Sequence, residues 1–377
     1  MMKRTNIIHA SWLFLLLLGG LLLGACNQSE EAINEKCGSG VVLIKNQGYY
    51  ELSIPNGGSI YFTDYSKEEG LVRFTINPDS IVPFESYGTG FFVSDEGLIA
   101  TNHHVIAPYI APGEVKQAIR EVVRRVQEQL SAEYNQLAAY QKELQNRQML
   151  KYMFGQDFTE ESYTAAWLES QMEAYRRLYQ AYSSLNIAQA QLKLHNKIDI
   201  AYNDSYIRSE ADFHSCNLIG SDEQHDLALI QLADGKTPQG RYVFPVSDSD
   251  PLEDYSLWEQ ALKSIHADKN QRLVMIGYNL GPVLAVTNQG IKAQYTSGSI
   301  SQKDQDRILY SIPALHGSSG SPVINARGQL VAIQYAGLDK TQSFNYGIRS
   351  IHLRHLMKLP NKKKAKGKRF IHGKNKG

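Results

Sequence analysis

Cysteine is scarce in this chain: three in 377 residues, at positions 26, 37 and 216. At most one internal disulfide can form, so the fold must rest on a buried core and not on a covalent framework. Proline is missing between Gly113 and Asn196, a stretch that holds one glycine, Gly155. So long a run without breakers argues against a series of turns. Net charge is close to absent, +1 from 39 Lys/Arg against 38 Asp/Glu. No spacing typical of a metal site or of a phosphate-cradling loop occurs, so neither a metal nor another cofactor is expected. What is there is ordinary for a globular protein, 42% hydrophobic and 20% charged, with length for one large domain or two.

The near-neutral charge hides an asymmetry. Residues 360–377, PNKKKAKGKRFIHGKNKG, hold eight Lys/Arg and no acid, which leaves 31 bases against 38 acids elsewhere. A basic stretch of such low hydrophobicity buries too little surface to fold alone, so 360–377 reads as a disordered, solvated tail. Contact with anionic lipid, lipopolysaccharide or nucleic acid is the alternative for this segment.

At the other end, Lys3 and Arg4 precede the apolar run WLFLLLLGGLLLGAC, Trp12 to Cys26. The run is short for a membrane span and fits a secretory signal peptide over 1–25. Its end, Leu23-Gly24-Ala25-Cys26, resembles the bacterial lipobox. The resemblance implies a lipid on Cys26, a linker over 26–37 and a place in the bacterial cell envelope, at the outer membrane or periplasm. Glu30 and Glu31 resemble the acidic surface-export signals of some Gram-negative lipoproteins. Exported Cys37 and Cys216 could pair or stay as two free thiols.

Short apolar runs separated by turn residues fill 41–101: VVLI, YYEL, SIYF, LVRFTI, GFFV and GLIAT. The pattern resumes after about residue 200 with LALIQL, RLVMIGY, RILYSIP, SPVIN and GQLVAIQY, and it closes with FNYGI and the amphipathic IHLRHLMKL. Such runs predict an antiparallel sandwich or barrel with a C-terminal helix. Between them the period changes. Val115, Ile119, Val122, Val126, Leu130, Leu137, Tyr140 and Leu144 recur at helical spacing. After GQDFT, the spacing continues through Tyr163, Trp167, Ala174, Leu178, Tyr182, Leu185, Ala188 and Leu192. Two long amphipathic helices follow from this, the second capped by Thr159 with Glu160 and Glu161 in its first turn. A first helix of about 40 residues would reach roughly 60 Å, too long for a small barrel core. The segment 113–199 is therefore expected to be a projecting helical hairpin, for self-association, partner binding or control of substrate access, with a plain spacer as the alternative. Acids interleave with Lys/Arg throughout it, so no nucleic-acid binding is expected.

Three motifs fall in the β-rich parts. GTGFFVSDEGLIATNHHVI (88–106) is a hairpin running into His103 and His104. DEQHDLALIQL (222–232) sets Asp226 at the mouth of an apolar strand. ALHGSSGSPVIN (314–325) crowds Ser318, Ser319 and Ser321 between glycines. Alone, each has a plainer reading: a surface or metal-binding histidine pair, a turn aspartate, a Gly/Ser loop.

Taken in order, TNHHV, DLALI and GSSGSP resemble the chymotrypsin-like serine proteases, and most closely their Deg/HtrA-type bacterial branch. The resemblance covers about 88–112 and 200–357. It implies a mainly β fold, a double β-barrel with the helical hairpin inserted in the first barrel. The first barrel would use 38–112 and 200–250, with 38–87 as an N-terminal extension that either adds strands to it or forms a small cap, and the second 251–359. It also implies roles: His104 as base, Asp226 as its carboxylate partner, Ser319 as nucleophile, and backbone N–H groups of Gly317 and Ser319 as the oxyanion hole. Pro313, Gln334, Tyr335, Ala336 and Gly337 would line the substrate site. No acid stands among them, which favours small or aliphatic residues at the cleavage site.

From His104 to Asp226 is 122 residues, and removing the 88 of 113–200 leaves 34, near the family's usual spacing. After the closing helix only the basic tail is expected, without the peptide-binding module common in Deg/HtrA proteins. The expected activity is serine endopeptidase cleavage of proteins or peptides, anchored to a membrane through Cys26. The competing readings are a non-catalytic scaffold or chaperone that binds through the hairpin, and a hydrolase of non-peptide esters.

Overall fold

The computed structural model describes residues 29–253, 272–337 and 344–358. The segment 1–25, Cys26 and the tail 360–377 lie outside the described residues. In chain order the elements begin with α1 (Glu30–Cys37), β1 (Val41–Ile54), β2 (Gly58–Phe62), β3 (Asp64–Ser66) and β4 (Gly70–Val72). Next come β5 (Phe84–Phe92), β6 (Leu98–Thr101), α2 (His103–Ile106), α3 (Pro112–Met153) and α4 (Thr159–Ser183). Strands β7 (Gln191–Tyr202), β8 (His214–Asp222), β9 (Leu227–Leu232) and β10 (Arg272–Gly277) precede the short α5 (Pro282–Ala285). The rest is β11 (Val286–Thr287), β12 (Gly290–Ile291), β13 (Gln294–Lys303), β14 (Arg307–Tyr310), β15 (Pro322–Asn325), β16 (Leu330–Gly337), β17 (Asn345–Arg349) and α6 over 350–358.

The fold is mainly β, a double barrel of the chymotrypsin-like kind with long helices inserted. The chain divides into two compact units. Of the described residues, one takes those up to 46, 85–108 and those from 197 onward, and it holds the strands of both barrels apart from the far ends of β1 and β7. In the first barrel the order is β1-β5-β6-β9-β8-β7, closed by pairing of β1 with β7. The second is β10-β13-β14-β17-β16-β15, also closed.

Alternation along the strands explains how two barrels share one unit. Successive side chains point to opposite faces of a sheet. Val42, Ile44, Phe92, Ile99, Ala228 and Ile230 form the core inside the first barrel. Their chain neighbours Val41, Leu43, Phe91, Ala100, Leu227 and Leu229 turn the other way and pack with Val274, Ile276, Tyr278, Ile324 and Ile333 from the second. Strands buried on both faces must read as unbroken apolar runs, which is why VVLI and LALI do. Each such side chain contributes about 1.5–3 kcal/mol of burial. A third core, with Leu273, Met275, Ile308, Tyr310 and Val323, fills the second barrel.

The other unit joins 47–84 to 109–196. Val115 and Ile119 on α3 pack with Tyr50, Leu52, Ile54 and Phe62. The two helices are tied side to side by Gln127 Nε2 donating to Ser183 Oγ at 2.9 Å and by Arg176 Nη2 donating to the Tyr134 hydroxyl at 3.0 Å. Pro112 opens α3 at a position where its missing N–H costs nothing.

Three local expectations differ from what forms. The second helix stops at Ser183, and Leu192 lies on β7. Leu192 and Leu194 also alternate with period two, and packing of both against the Val115 core selects the strand. Thr159 is the first helical residue and not a cap; its N–H and hydroxyl both donate to Asp157 Oδ1, at 2.9 and 2.6 Å. Val122, Tyr140, Tyr163, Trp167 and Leu178, assigned to the apolar faces, are exposed. Cys37 and Cys216 are free thiols. Burial raises the pKa of both, that of Cys216 to about 12, which suppresses the reactive thiolate.

Candidate active site

The turn before β9 ends at Asp226, whose φ of +49° is a left-handed value that aspartate tolerates better than most residues. This backbone lets the carboxylate fold back on the segment after β6. Asp226 Oδ1 accepts the backbone N–H of His104 at 2.8 Å, and Oδ2 lies 2.6 Å from His104 Nδ1. The Asp226 carbonyl accepts from His103 N–H at 3.1 Å and from Asn102 Nδ2 at 2.9 Å. Four hydrogen bonds thus hold residues 102–104 to one aspartate. They also separate the two histidines: the His104 ring meets the carboxylate, while His103 is engaged through its backbone. The Asp226 side chain is 15% exposed and that of His104 41%, so the pair is shielded on one side and open on the other.

Next to an ionised carboxylate, His104 Nδ1 carries the proton and Nε2 is left as the basic nitrogen. Among the described residues no hydrogen bond links His104 Nε2 to Ser319 Oγ. Such bonds are commonly long without substrate and tighten in the complex.

Ser319 sits in the turn between β14 and β15. Gly317 and Gly320 both have positive φ, +92° and +88°. A Cβ on Gly317 would stand 2.4 Å from the Tyr278 carbonyl oxygen, and one on Gly320 would stand 2.1 Å from the Thr89 carbonyl oxygen. Both positions therefore demand glycine. Inside the turn, Ser318 N–H and Oγ–H donate to Leu315 O at 3.0 and 2.7 Å. Gly320 N–H donates to Gln334 O at 2.9 Å. Among the described residues the N–H groups of Gly317 and Ser319 donate to nothing, so this turn offers two unspent donors on either side of Ser318.

A residue that sequence reasoning missed organises this turn. Thr89, fully buried on β5, donates its hydroxyl to Gly317 O at 2.8 Å and accepts Tyr278 N–H at 3.0 Å. Its own N–H donates to Ser319 O at 2.9 Å, and its carbonyl accepts the Thr101 hydroxyl at 2.8 Å. The same threonine thus joins the Ser319 turn to the strand leading to His104. A threonine within GTGFF looks like any β-branched strand residue, and its partners are 189 and 228 residues away. Thr89→Val would keep the shape and strand two buried groups, at about 1–3 kcal/mol each. We expect a melting temperature lower by roughly 5–10 °C. Because the Ser319 turn loosens, kcat should fall by about 100-fold with a smaller change in KM. Steady-state kinetics and calorimetry would check this, and unchanged kcat in a destabilised variant would deny Thr89 a positioning role.

Ser318 and Ser321 are buried beside Ser319. Among the described residues the Ser321 hydroxyl has no hydrogen-bond partner. Ser318→Ala and Ser321→Ala should retain peptide turnover within about tenfold. Ser321→Ala should be as stable as wild type or more so, since it deletes an unsatisfied buried group; a large loss of melting temperature would contradict this.

The expected substrate residues are distributed unevenly. Pro313 is exposed, and its carbonyl accepts the Thr296 hydroxyl at 3.3 Å. Gln334 is buried, its Oε1 taking the Tyr310 hydroxyl, so its side chain serves the second barrel. Tyr335 sits at a register shift between Gln334 and Ala336, a bulge that turns a side chain out of the ladder. Its ring stands edge-on to that of His104, centroids 6.5 Å apart. Ala336 and Gly337 pair with Tyr346 and Asn345 of β17. Pairing of β16 with β15 ends at Ile333, and Ser321 O takes Gln334 N–H at 2.9 Å just beyond it.

Comparison with known proteins adds the following. Residues 66–118 match the Peptidase S46 family. A serine endoprotease from Yersinia pestis of solved structure shares 13% identity with a TM-score of 0.42, over 88% of this chain and 66% of its own. The chain therefore spans just under two thirds of that protein's length. No curated protein matches in sequence. Residues 188–333 match the family described as Trypsin-like peptidase domain, so the part of the chain that carries Asp226 and Ser319 is similar to trypsin-like peptidases.

Proposed function

We propose that this protein is a serine endopeptidase of the Deg/HtrA type, held at the bacterial cell envelope by a lipid on Cys26, a residue outside those described. One observation carries the catalytic part: Asp226 grips His104 through both carboxylate oxygens, at 2.8 Å to the backbone N–H and 2.6 Å to Nδ1. This is the contact a histidine base needs to hold its tautomer and bear the charge it acquires.

In the reaction, Ser319 Oγ attacks the peptide carbonyl carbon while His104 Nε2 takes the hydroxyl proton. The carbonyl oxygen becomes an oxyanion facing the Gly317 and Ser319 N–H groups; each such donor is worth about 3–4 kcal/mol at the transition state. Collapse breaks the C–N bond, and His104 returns the proton to the leaving amine. Water then attacks the acyl ester by the same proton route, releasing the acid and restoring Ser319. An extended substrate would lie along the edge of 335–337 beyond the β15 pairing, with Tyr335 beside His104. The hairpin would bind a partner through the exposed apolar residues at its turn, Met149, Leu150, Tyr152, Met153 and Phe154.

A fluorophosphonate probe tests the chemistry. Ser319 Oγ should displace fluoride from phosphorus, and peptide mapping should find the phosphonyl group on Ser319. A chain that takes no label under any condition would instead be a protease-like scaffold. Label on Ser318 would overturn the assignment of the nucleophile.

A further inference from the structure

The residue before Asp226 belongs to a second cluster. His225 Nδ1 lies 2.7 Å from Asp222 Oδ2, and His225 N–H donates to Asp222 Oδ1 at 3.2 Å. A carboxylate accepts only, so Nδ1 carries the proton and His225 Nε2 presents a lone pair. That nitrogen is 3.9 Å from Asp306 Oδ1, on the turn between β13 and β14. His352 Nε2, on α6, is shielded from solvent and 3.2 Å from the same oxygen, and among the described residues it makes no hydrogen bond of good geometry. The two imidazoles stack with centroids 3.8 Å apart. Two nitrogens and a carboxylate oxygen thus come from three distant parts of the chain to lie within 4.8 Å of one another.

The two histidine side chains are largely shielded while Asp306 is exposed, and two imidazole nitrogens turned toward one carboxylate oxygen are costly to hold so close unless a positive centre fills the space between them. We propose that His225, Asp306 and His352 form a binding site for a divalent transition-metal ion of the zinc class. Imidazole with carboxylate suits such an ion and not magnesium or calcium. Three protein ligands leave a fourth position for water, as in open zinc sites. Asp222 supplies what metal-bound histidines usually have, a carboxylate on the other ring nitrogen. Tetrahedral ligands at about 2.0–2.1 Å from zinc stand roughly 3.3 Å apart, so the 3.2 Å contact needs little change. The 3.9 Å contact and the stacked rings must shift, and the exposed Asp306 turn can supply the movement. The bound ion would tie the turn ending in Asp226 to the β13–β14 hairpin and to α6. It takes no part in peptide hydrolysis; its effect is to hold the Asp226 turn.

The test uses the untagged full-length chain, stripped with EDTA and titrated with Co²⁺ and then Zn²⁺. One equivalent of Co²⁺ should give the visible absorption of a four- or five-coordinate ion, and Zn²⁺ should displace it. Asp306→Asn and His352→Ala should each remove the absorption at concentrations that saturate wild type. Asp222→Asn should weaken binding by about 10–100-fold. Circular dichroism of each metal-free variant checks folding; if His352→Ala fails to fold, Asp306→Asn on its exposed turn decides. No uptake by wild type at micromolar metal, or wild-type affinity in Asp306→Asn, would overturn the proposal.

Discussion

Replacing Ser319 by alanine should lower peptide turnover by about 10⁶-fold, to the level the remaining groups sustain without a nucleophile. The fold should be unaffected. Ser319 is tied in through its carbonyl, which accepts Thr89 N–H at 2.9 Å, and alanine keeps that bond. Gly317 and Gly320 keep their positive φ, and Ser318 keeps its bonds to Leu315. The variant should therefore melt with wild type and still bind substrate, since the edge at 335–337 and the two N–H donors remain. Cleavage followed by mass spectrometry, beside a binding measurement with an uncleaved peptide, separates these effects. Turnover within tenfold of wild type would end the serine protease reading.

Asp226→Asn should be the next most damaging change, at about 10⁴-fold in kcat. Asparagine tolerates the left-handed φ of +49° as aspartate does, so the turn should hold. Its Oδ1 can still accept His104 N–H, and its carbonyl those of His103 and Asn102. What changes is the group facing His104 Nδ1: an amide that donates replaces an oxygen that accepts. The imidazole must then move its proton to Nε2, which can no longer take one from Ser319. A melting temperature within a few degrees of wild type, together with loss of rate under single turnover, is the expected pair of results. Near-wild-type acylation would show that His104 does not depend on Asp226.

The same two residues show how far local pattern reaches. His104 and Asp226 were legible because each sits inside a short motif at a strand end, and the structure joins them by hydrogen bonds. The double barrel was legible for the same kind of reason. Alternation, turn residues and doubly buried runs such as VVLI and LALI are properties of a few consecutive residues, and so is the helical period from Val115 to Leu144. Where one window supported two periods, as at Leu192 and Leu194, sequence reasoning ran the second helix past its end at Ser183.

Thr89 was invisible because its importance comes from partners 189 and 228 positions away. The cluster of His225, Asp306 and His352 was invisible likewise, as was the joining of 47–84 with 109–196 in one unit. Whether Gln334 meets substrate or the Tyr310 hydroxyl depends on which face of β16 it takes, and a bulge at Tyr335 resets that count. Periodicity and backbone propensity act between near neighbours, so the amino-acid order alone carried most of the strands and helices and pointed to the motif residues. Hydrogen bonds and burial between remote segments exist only once the chain has closed on itself, and packing alone chose the partners of Thr89, Gln334 and His352.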